Sequence, residues 1–314
     1  MTVQLTVLKE EQASETRVAA SPETVKKLKA MGVSVTVEAG AGVKSGFDDS
    51  DFKQAGASVT RAIVASLKKA DVVVSVRAPS AAKIKSMKAN ALVIGQLNPY
   101  QNAAGVKAMA SKKVQAMSME LMPRITRAQS MDVLSSQSNL AGYKAVLDAT
   151  AEYNRALPMM MTAAGTVPAA RVFVMGAGVA GLQAIATAKR LGAIVSATDV
   201  RAAAAEQVES LGGTFVMVEP DEGDSGETAG GYAKEMSADY QKRQAELVAE
   251  HIAKQDIVIC TALIPGRPAP ELVTRKMVES MKPGSVVVDL AVEQGGNCKL
   301  SKPGKIVQHK GVAL

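Results

Sequence analysis

Short apolar runs alternate with helical patterns along residues 1–120 of the chain. The runs that predict strands are residues 5–8, 33–38, 72–76, 92–95 and 114–117. Ser21, Pro22 and Glu23 predict the start of a helix, because each of these residue types is favoured at a helix N-terminus. Strands that alternate with helices form parallel sheets. The pattern therefore predicts an α/β domain.

A polar stretch and a long helical pattern separate this region from a second one. The stretch, residues 124–136, has the sequence RITRAQSMDVLSS, and the helical pattern extends from about residue 137 to residue 156. Beyond it, strands are predicted at 172–175, 194–198, 215–218, 256–260, 285–290 and 305–308, and helices at 179–191, 206–211, a segment ending near 253, and 269–280. We therefore expect an α/β protein with two Rossmann-like parallel-sheet domains, 1–136 and 137–314, separated by a cleft and joined by a long helix.

Composition narrows the class of protein. Apolar residues make up 47% of the chain and charged residues 21%, as in ordinary globular domains. The two cysteines and two histidines lack metal-ligand spacing, so we expect no metal site. The net charge of +7 lies mainly in the first half, where lysines follow helix patterns without aromatic stacking platforms, which disfavours nucleic-acid binding. No signal peptide is visible, and the longest uncharged run, residues 172–188, is shorter than the roughly 20 apolar residues of a membrane-spanning helix.

Three glycines form the clearest chemical motif. In the sequence VFVMGAGVAGLQA, Gly176, Gly178 and Gly181 give the spacing G-x-G-x-x-G between a strand and an amphipathic helix. In dinucleotide-binding folds the first glycine permits a tight turn, the second lets the pyrophosphate approach the backbone, and the third lets helix and strand pack closely. The helix N-terminus then faces the negative charge. The motif predicts a dinucleotide site.

An acidic residue indicates which dinucleotide is bound. Asp199 follows the next strand, 18 residues beyond Gly181, where the hydroxyl groups of the adenosine ribose are expected. A carboxylate accepts hydrogen bonds from both hydroxyls and repels a 2′-phosphate, so we predict NAD(H) rather than NADP(H). Arg201 is an alternative ligand for a 2′-phosphate, but beside Asp199 we interpret it as a helix-start residue or a neighbour of the adenosine.

The polar stretch 124–136 offers side chains that suit the nicotinamide end of a dinucleotide. An arginine–carboxylate pair can lock a loop, an amide can read a carboxamide, and a hydroxyl can bond a ribose. The side chains of these types are those of Arg124, Gln129, Asp132 and Ser135. A capped helix start gives the same spacing, so the residues alone leave both interpretations open. No Ser/His/Asp or Cys/His set in the sequence indicates a covalent nucleophile.

A second polar segment, residues 219–240, is too polar to bury and is long for a connection. It contains seven acidic residues, four glycines and one lysine. Loops of this length are usually functional lids or disordered segments. Tyr232 follows two glycines in this segment and suits a lid that closes over a dinucleotide, while a plain surface insertion is the alternative.

Five segments together resemble a known family along nearly the whole chain. They are ETRVAASP (15–22), MELMPRITRAQSMDVLSSQSNLAGYKAV (119–146), MMMTAAGTVPAARVFVMGAGVAGLQAIATAKRLGA (159–193), GETAGGYAKEM (226–236) and MKPGSVVVDLAVEQGGNC (281–298). The chain resembles the NAD(H)-binding component, domain I, of proton-translocating NAD(P) transhydrogenases. The RAQSMD and GGYAKEM blocks are specific to that family, whereas RVAASP is shared with the related alanine dehydrogenases.

The resemblance implies direct hydride transfer from bound NADH to NADP⁺ on an NADP-binding component, coupled to proton movement through a membrane-spanning component. The chain would then be a homodimer, held at the cytoplasmic or matrix side of the membrane by its partners. The residues of stretch 124–136 would hold the nicotinamide end, with Gln129 bridging toward the partner's nucleotide, and Tyr232 would belong to a mobile lid. The matching cofactor-contacting positions are Val179, Asp199, Val200, Arg201, Gly231, Gln244 and Leu263. Such transfer needs no protein acid or base.

The resemblance also has departures and alternatives. Alanine dehydrogenases carry a substrate histidine where this chain has GQLNPYQN, and their aspartate before the Gln-Gly-Gly turn is Glu293 here. Arg17 and Arg77 do occupy positions similar to their substrate-binding basic residues. A soluble amino-acid dehydrogenase and a non-catalytic NAD-binding module are therefore the alternatives. The transhydrogenase domain normally continues and returns to its first domain, so for a chain ending at Leu314 we expect that closing element to be missing.

Overall fold

A computed structural model describes residues 2–123, 125–218, 237–263 and 266–314. The chain divides into two compact units, residues 1–134 and 135–314. Both units are α/β, with sheets that are parallel or mostly parallel, as the sequence predicts. Within these described ranges, no helix is long and apolar enough to cross a membrane.

The first unit is built on a six-stranded sheet. Its elements are β1 (Gln4–Val7), α1 (Pro22–Ala30), β2 (Ser34–Glu38), α2 (Asp49–Gln54), β3 (Ser58–Thr60), α3 (Ile63–Leu67), β4 (Val72–Arg77), α4 (Ala81–Ser86), β5 (Leu92–Gln96), α5 (Ala103–Ser111) and β6 (Gln115–Ser118). The strand order is β3-β2-β1-β4-β5-β6, and all neighbours are parallel. The predicted strands are confirmed, and the pattern missed only β3, which has three residues.

Alternating apolar side chains place a separate core on each face of this sheet. Val37 and Phe52 are fully buried in one core, and Leu67 and Val73 are fully buried in the other. The predicted helix start at Pro22 is confirmed, because the Ser21 hydroxyl accepts a hydrogen bond from the Thr24 N–H at 3.2 Å. Such a cap satisfies a backbone donor that the first helical turn leaves unpaired.

The polar stretch 124–136 is helical over most of its described length. A short 3₁₀ helix, Thr126–Met131, is followed by the long helix α6 (Val133–Glu152). The sequence pattern predicted the start of this helix at about residue 137, which is wrong by four residues. Its first turns carry polar residues such as Ser135 and Ser136, which have no apolar period to mark them.

The second unit holds a two-stranded hairpin and a seven-stranded sheet. Its elements are β7 (Met160–Thr162), β8 (Gly165–Val167), β9 (Arg171–Met175), α7 (Val179–Arg190), β10 (Ile194–Thr198), α8 (Ala204–Ser210), β11 (Thr214–Phe215), α9 (Ala238–Ile252), β12 (Ile257–Cys260), α10 (Arg275–Ser280), β13 (Val286–Asp289), β14 (Gln308–His309) and β15 (Val312–Ala313). The sheet order is β11-β10-β9-β12-β13-β15-β14, parallel except for the β14–β15 pair. The order reverses between β9 and β12, which is where open α/β sheets bind ligands.

Three predictions in the second unit are wrong in detail. The helix predicted at 269–280 begins only at Arg275, where Thr274 caps it, because prolines lie just before it. The strand predicted at 305–308 is instead a hairpin, since Lys310 and Gly311 turn the chain with positive φ angles of 47° and 81°. The strand predicted at 215–218 pairs only at Thr214–Phe215.

Candidate functional site

The three glycines connect β9 to α7 at the carboxyl edge of the second sheet. Gly176 has a φ of +105°, which favours glycine, and its N–H donates to the Thr198 carbonyl at 2.8 Å. A Cβ on Gly181 would lie 1.8 Å from the Gly176 carbonyl oxygen. A Cβ on Gly178 would meet no atom within 4 Å. The first and third glycines are therefore required by the turn itself, whereas the second leaves open space in front of a helix N-terminus.

That open space fits a dinucleotide pyrophosphate. Gly178 caps α7, and the N–H groups of its first turn have no partner within the helix. Such donors, together with the helix dipole, favour an anion at this position. An α7 that began with larger residues would close the approach.

The peptide unit between Gly176 and Ala177 is held at both ends by neighbouring strands. The Ala177 N–H donates to Asp199 Oδ2 at 2.7 Å, at the end of β10. On the other side, Thr261 Oγ1, just after β12, donates to the Gly176 carbonyl at 2.9 Å. Thr261 was not predicted from the sequence, although its position at the carboxyl end of a strand beside β9 was a usable signal. The two contacts fix the orientation of the turn.

Asp199 is buried and fully engaged. Its Oδ1 accepts the backbone N–H and Nε of Arg201, both at 2.9 Å, and its Oδ2 accepts Nη2 of Arg201 at 2.9 Å in addition to the Ala177 N–H. Burial raises the pKa of Asp199, but the hydrogen bonds from Arg201 and Ala177 outweigh it and hold that pKa below its ordinary value. Asp199 is therefore an anion paired with a cation at the rim of the turn.

The other described cofactor candidates of the second unit surround this point. Gln244 on α9 donates through Nε2 to Thr198 Oγ1 at 2.8 Å and accepts the Val218 N–H at 3.0 Å. It thus ties α9 to the end of β10, next to Asp199. Val200 is half-buried between Asp199 and Arg201. Val179 at the start of α7 and Leu263 after β12 are exposed apolar side chains.

Asn297 is a second residue that was not predicted from the sequence. It is completely buried, and its Nδ2 donates to the carbonyls of Ala262 at 2.9 Å and Pro270 at 2.7 Å. It follows Gly295 and Gly296, which have φ angles of 101° and 77° and so allow the sharp turn that places it. The segment that begins at Thr261 and carries Leu263 is thereby fastened to the end of the β13 connection.

The nicotinamide-end candidates are described only in part. Arg124, Gly231 and Tyr232 lie outside the described residues. Gln129 is exposed on the 3₁₀ helix Thr126–Met131, and its carbonyl accepts the Asp132 N–H at 3.2 Å. Asp132 ends that helix in the first unit, and Ser135 lies in the first turn of α6 in the second; both are half-buried. A helix start and a polar loop thus coexist here, as the sequence allowed.

A separate ionic cluster lies in the first unit. The buried carboxylate of Glu15 accepts Nε and Nη2 of Arg17, both at 2.7 Å, and Nε of Arg77 at 2.9 Å. The hydrogen bond from Arg17 is the main reason that the pKa of Glu15 falls to about 2, despite burial, with Arg77 adding to the effect. Both arginines therefore share one internal carboxylate.

Comparisons with known proteins agree along the whole chain. Residues 6–141 match the alanine dehydrogenase/PNT N-terminal domain, and residues 145–314 match the alanine dehydrogenase/PNT C-terminal domain. The chain is 56% identical to the first of the polypeptides that make up the NAD(P) transhydrogenase alpha subunit of Rhodospirillum rubrum, over 99% of this chain and 83% of that protein. Alanine dehydrogenase 1 of Staphylococcus aureus is 31% identical, over 96% of this chain and 75% of that protein. The crystal structure of transhydrogenase from Sinorhizobium meliloti superposes with a TM-score of 0.90 at 59% identity, over 99% of this chain and 84% of that one. The chain belongs to the alanine dehydrogenase/PNT family, in its transhydrogenase alpha-subunit branch.

Proposed function

We propose that this chain is the NAD(H)-binding component of a proton-translocating NAD(P) transhydrogenase, in which hydride passes directly between NADH and NADP⁺. The observation that carries the proposal is the open turn at Gly178 in front of α7, with Asp199 at the end of the next strand. The 56% identity to a transhydrogenase alpha subunit, against 31% to an alanine dehydrogenase, supports the choice of reaction.

In this proposal the second unit binds and orients the dinucleotide. Gly178 and Val179 receive the pyrophosphate at the helix N-terminus, while Gly176 and Gly181 keep the turn in shape. Asp199 accepts the adenosine ribose hydroxyls. The remaining contacts, taken from matching positions, are those of Val200, Arg201, Gly231, Tyr232, Gln244 and Leu263.

Bound NAD(H) supplies the hydride, so this chain need only position the ring and exclude water. We assign Arg124, Gln129, Asp132 and Ser135 to the nicotinamide end. The exposed amide of Gln129 suits a group that reaches toward a second nucleotide on a partner. The absence of an acid–base constellation among the assigned residues agrees with a reaction that moves no proton on this chain.

The partners we propose are an NADP-binding component, a membrane-spanning proton-channel component and a second copy of this chain. The chain would be peripheral to the membrane, on its cytoplasmic or matrix side. A homodimer agrees with the β7–β8 hairpin, which exposes the apolar side chains of Met160, Met161 and Val167. Sedimentation of the purified chain as a monomer at micromolar concentration would contradict the homodimer.

The test of the reaction is to mix the chain with an NADP-binding component and follow oxidation of NADH by an NADP⁺ analogue. We expect transfer, and we expect Gln129→Asn, which shortens the amide by one methylene, to slow it far more than it weakens NADH binding. Equal losses of rate and affinity would contradict the bridging role of Gln129.

The same preparation tests the second candidate function. An alanine dehydrogenase would reduce NAD⁺ in the presence of alanine without any partner. The Arg17 and Arg77 side chains, already bound to Glu15, are less suited to receive a substrate carboxylate. Alanine-dependent reduction without partner-dependent transfer would overturn our proposal.

A further inference from the structure

The adenosine end of the proposed site contains an arginine that is occupied by the acid beside it. Three of the four hydrogen bonds to the Asp199 carboxylate come from Arg201, two of them from its guanidinium group. The Asp199 side chain is 8% exposed and that of Arg201 is 21% exposed. An ionised carboxylate has about four acceptor positions, so this one is saturated.

We infer that Arg201 is a specificity-determining residue: it is a ligand for a 2′-phosphate that Asp199 keeps engaged. The inference rests on the proposed NAD(H) site. The end of β10 is where Rossmann folds read the 2′ position of the adenosine ribose. A guanidinium group binds phosphate and carboxylate oxygens through the same planar pair of N–H donors. In this chain the carboxylate that uses those donors is internal.

Rejection of NADP(H) follows from this pairing. A 2′-phosphate that bound Arg201 would have to displace Asp199 and leave a buried carboxylate without its cation. Removing one partner of a buried ion pair is strongly unfavourable, and the displaced carboxylate would also repel the phosphate. Ribose hydroxyls are neutral donors, so they can replace one or two N–H groups at Asp199 without separating the two charges.

The variant that tests this is Asp199→Ser, which frees Arg201 and removes the negative charge. The probes are 2′,5′-ADP and 5′-AMP, which differ by the 2′-phosphate alone, together with NADPH and NADH. We expect the affinity for 2′,5′-ADP and NADPH to rise on the order of tenfold, as for a newly formed charge-assisted hydrogen bond. The affinity for NADH should fall.

Two controls separate Arg201 from the general loss of charge. Arg201→Gln alone should leave the chain unable to bind NADPH well, because Asp199 remains. Asp199→Ser combined with Arg201→Gln should lose the gain in NADPH affinity. Asp199→Asn keeps an acceptor for the Ala177 N–H and should show the same gain if the serine variant folds poorly.

The outcomes distinguish this inference from the proposed function. If folded Asp199→Ser and Asp199→Asn variants bind 2′,5′-ADP no better than the original chain, the inference is overturned. It is also overturned if the double variant gains as much as the single one. If the original chain binds no NADH at all, the proposed function fails, whichever way the 2′,5′-ADP titrations turn out.

Discussion

At the scale of single residues, the dinucleotide turn depends on one peptide group. The Gly176 carbonyl receives the Thr261 hydroxyl, and the Ala177 N–H is bound by Asp199. Because both ends of the peptide are fixed, the following residues enter α7 with Gly178 facing open space. Thr261 is thus a positioning residue that acts on the cofactor through the backbone.

We expect Thr261→Val, which replaces the hydroxyl by a methyl group of similar size, to weaken NADH binding about fivefold, the equivalent of one hydrogen bond of about 1 kcal/mol. Thr261→Ser keeps the donor and should bind NADH almost as the original chain does. Fluorescence titration with NADH measures both. Similar losses in the two variants would show that the methyl group, and not the hydroxyl, matters.

The residue scale also shows what the sequence allowed us to predict. Gly176, Gly181 and Asp199 obey rules that are visible within one strand–turn–helix unit, so their places follow from local spacing. Thr261 and Asn297 act on groups 85 and 35 residues away, at Gly176 and Ala262. Such contacts arise only when parallel strands bring distant loops to one edge, and a single sequence does not contain that pairing.

At the scale of elements, the close packing of α6 on α7 depends on a glycine outside the motif. A Cβ on Gly142 of α6 would lie 2.0 Å from the Ala180 carbonyl oxygen on α7. Gly142→Ala gains about 1 kcal/mol of helix propensity. The contact is with backbone, however, so the helices must separate, and we expect a net loss of about 1 to 3 kcal/mol in the free energy of unfolding.

Gly178→Ala is the matched variant, because its Cβ meets no atom and its φ of −79° is open to alanine. It should change stability less than Gly142→Ala does, yet weaken NADH binding more, since its methyl group enters the pyrophosphate space. Denaturant unfolding and NADH titration of both variants give the comparison. Unchanged NADH affinity in Gly178→Ala would remove the pyrophosphate from this turn.

Elements were predictable where burial and capping act together. The strands of both sheets are apolar runs because helices cover both faces, and Ser21 marks a helix start by its own hydrogen bond. The errors fall where a turn overrides a run. Lys310 takes a positive φ that its residue type does not advertise, and so one predicted strand became the β14–β15 hairpin.

At the scale of the whole molecule, the two units repeat one architecture with different consequences. Strand order reverses between β1 and β4 in the first unit and between β9 and β12 in the second. At the first reversal the charged side chains of Glu15, Arg17 and Arg77 satisfy one another. At the second the glycine turn leaves its space open. The same fold therefore yields a dinucleotide site only where the sequence supplies that turn.

The stability of the whole chain should depend on pH through His251, at the end of α9. Its Nε2 lies 2.8 Å from Ser196 Oγ, and its ring packs edge-on against Phe173 at 4.7 Å between centroids. Burial lowers the pKa of His251 from its ordinary value of 6.5, and the nearby charges of Lys254 and Arg171 lower it further. The folded chain therefore binds a proton at His251 less readily than the unfolded chain does.

The free energy of unfolding should then be insensitive to His251 above about pH 6.5 and should fall below it, by at most about 1.4 kcal/mol per pH unit, until the folded-state pKa is passed. Urea unfolding between pH 8 and pH 5 measures this, and the transition that NADH shifts identifies the second unit. His251→Gln should flatten that fall. His309→Gln is the matched control, because His309 is bonded to Glu279 on the hairpin side of the sheet and its loss should leave the His251 contribution in place. Equal pH dependence in the original chain and in His251→Gln would show that other groups, and not this buried imidazole, govern the acid stability of the molecule.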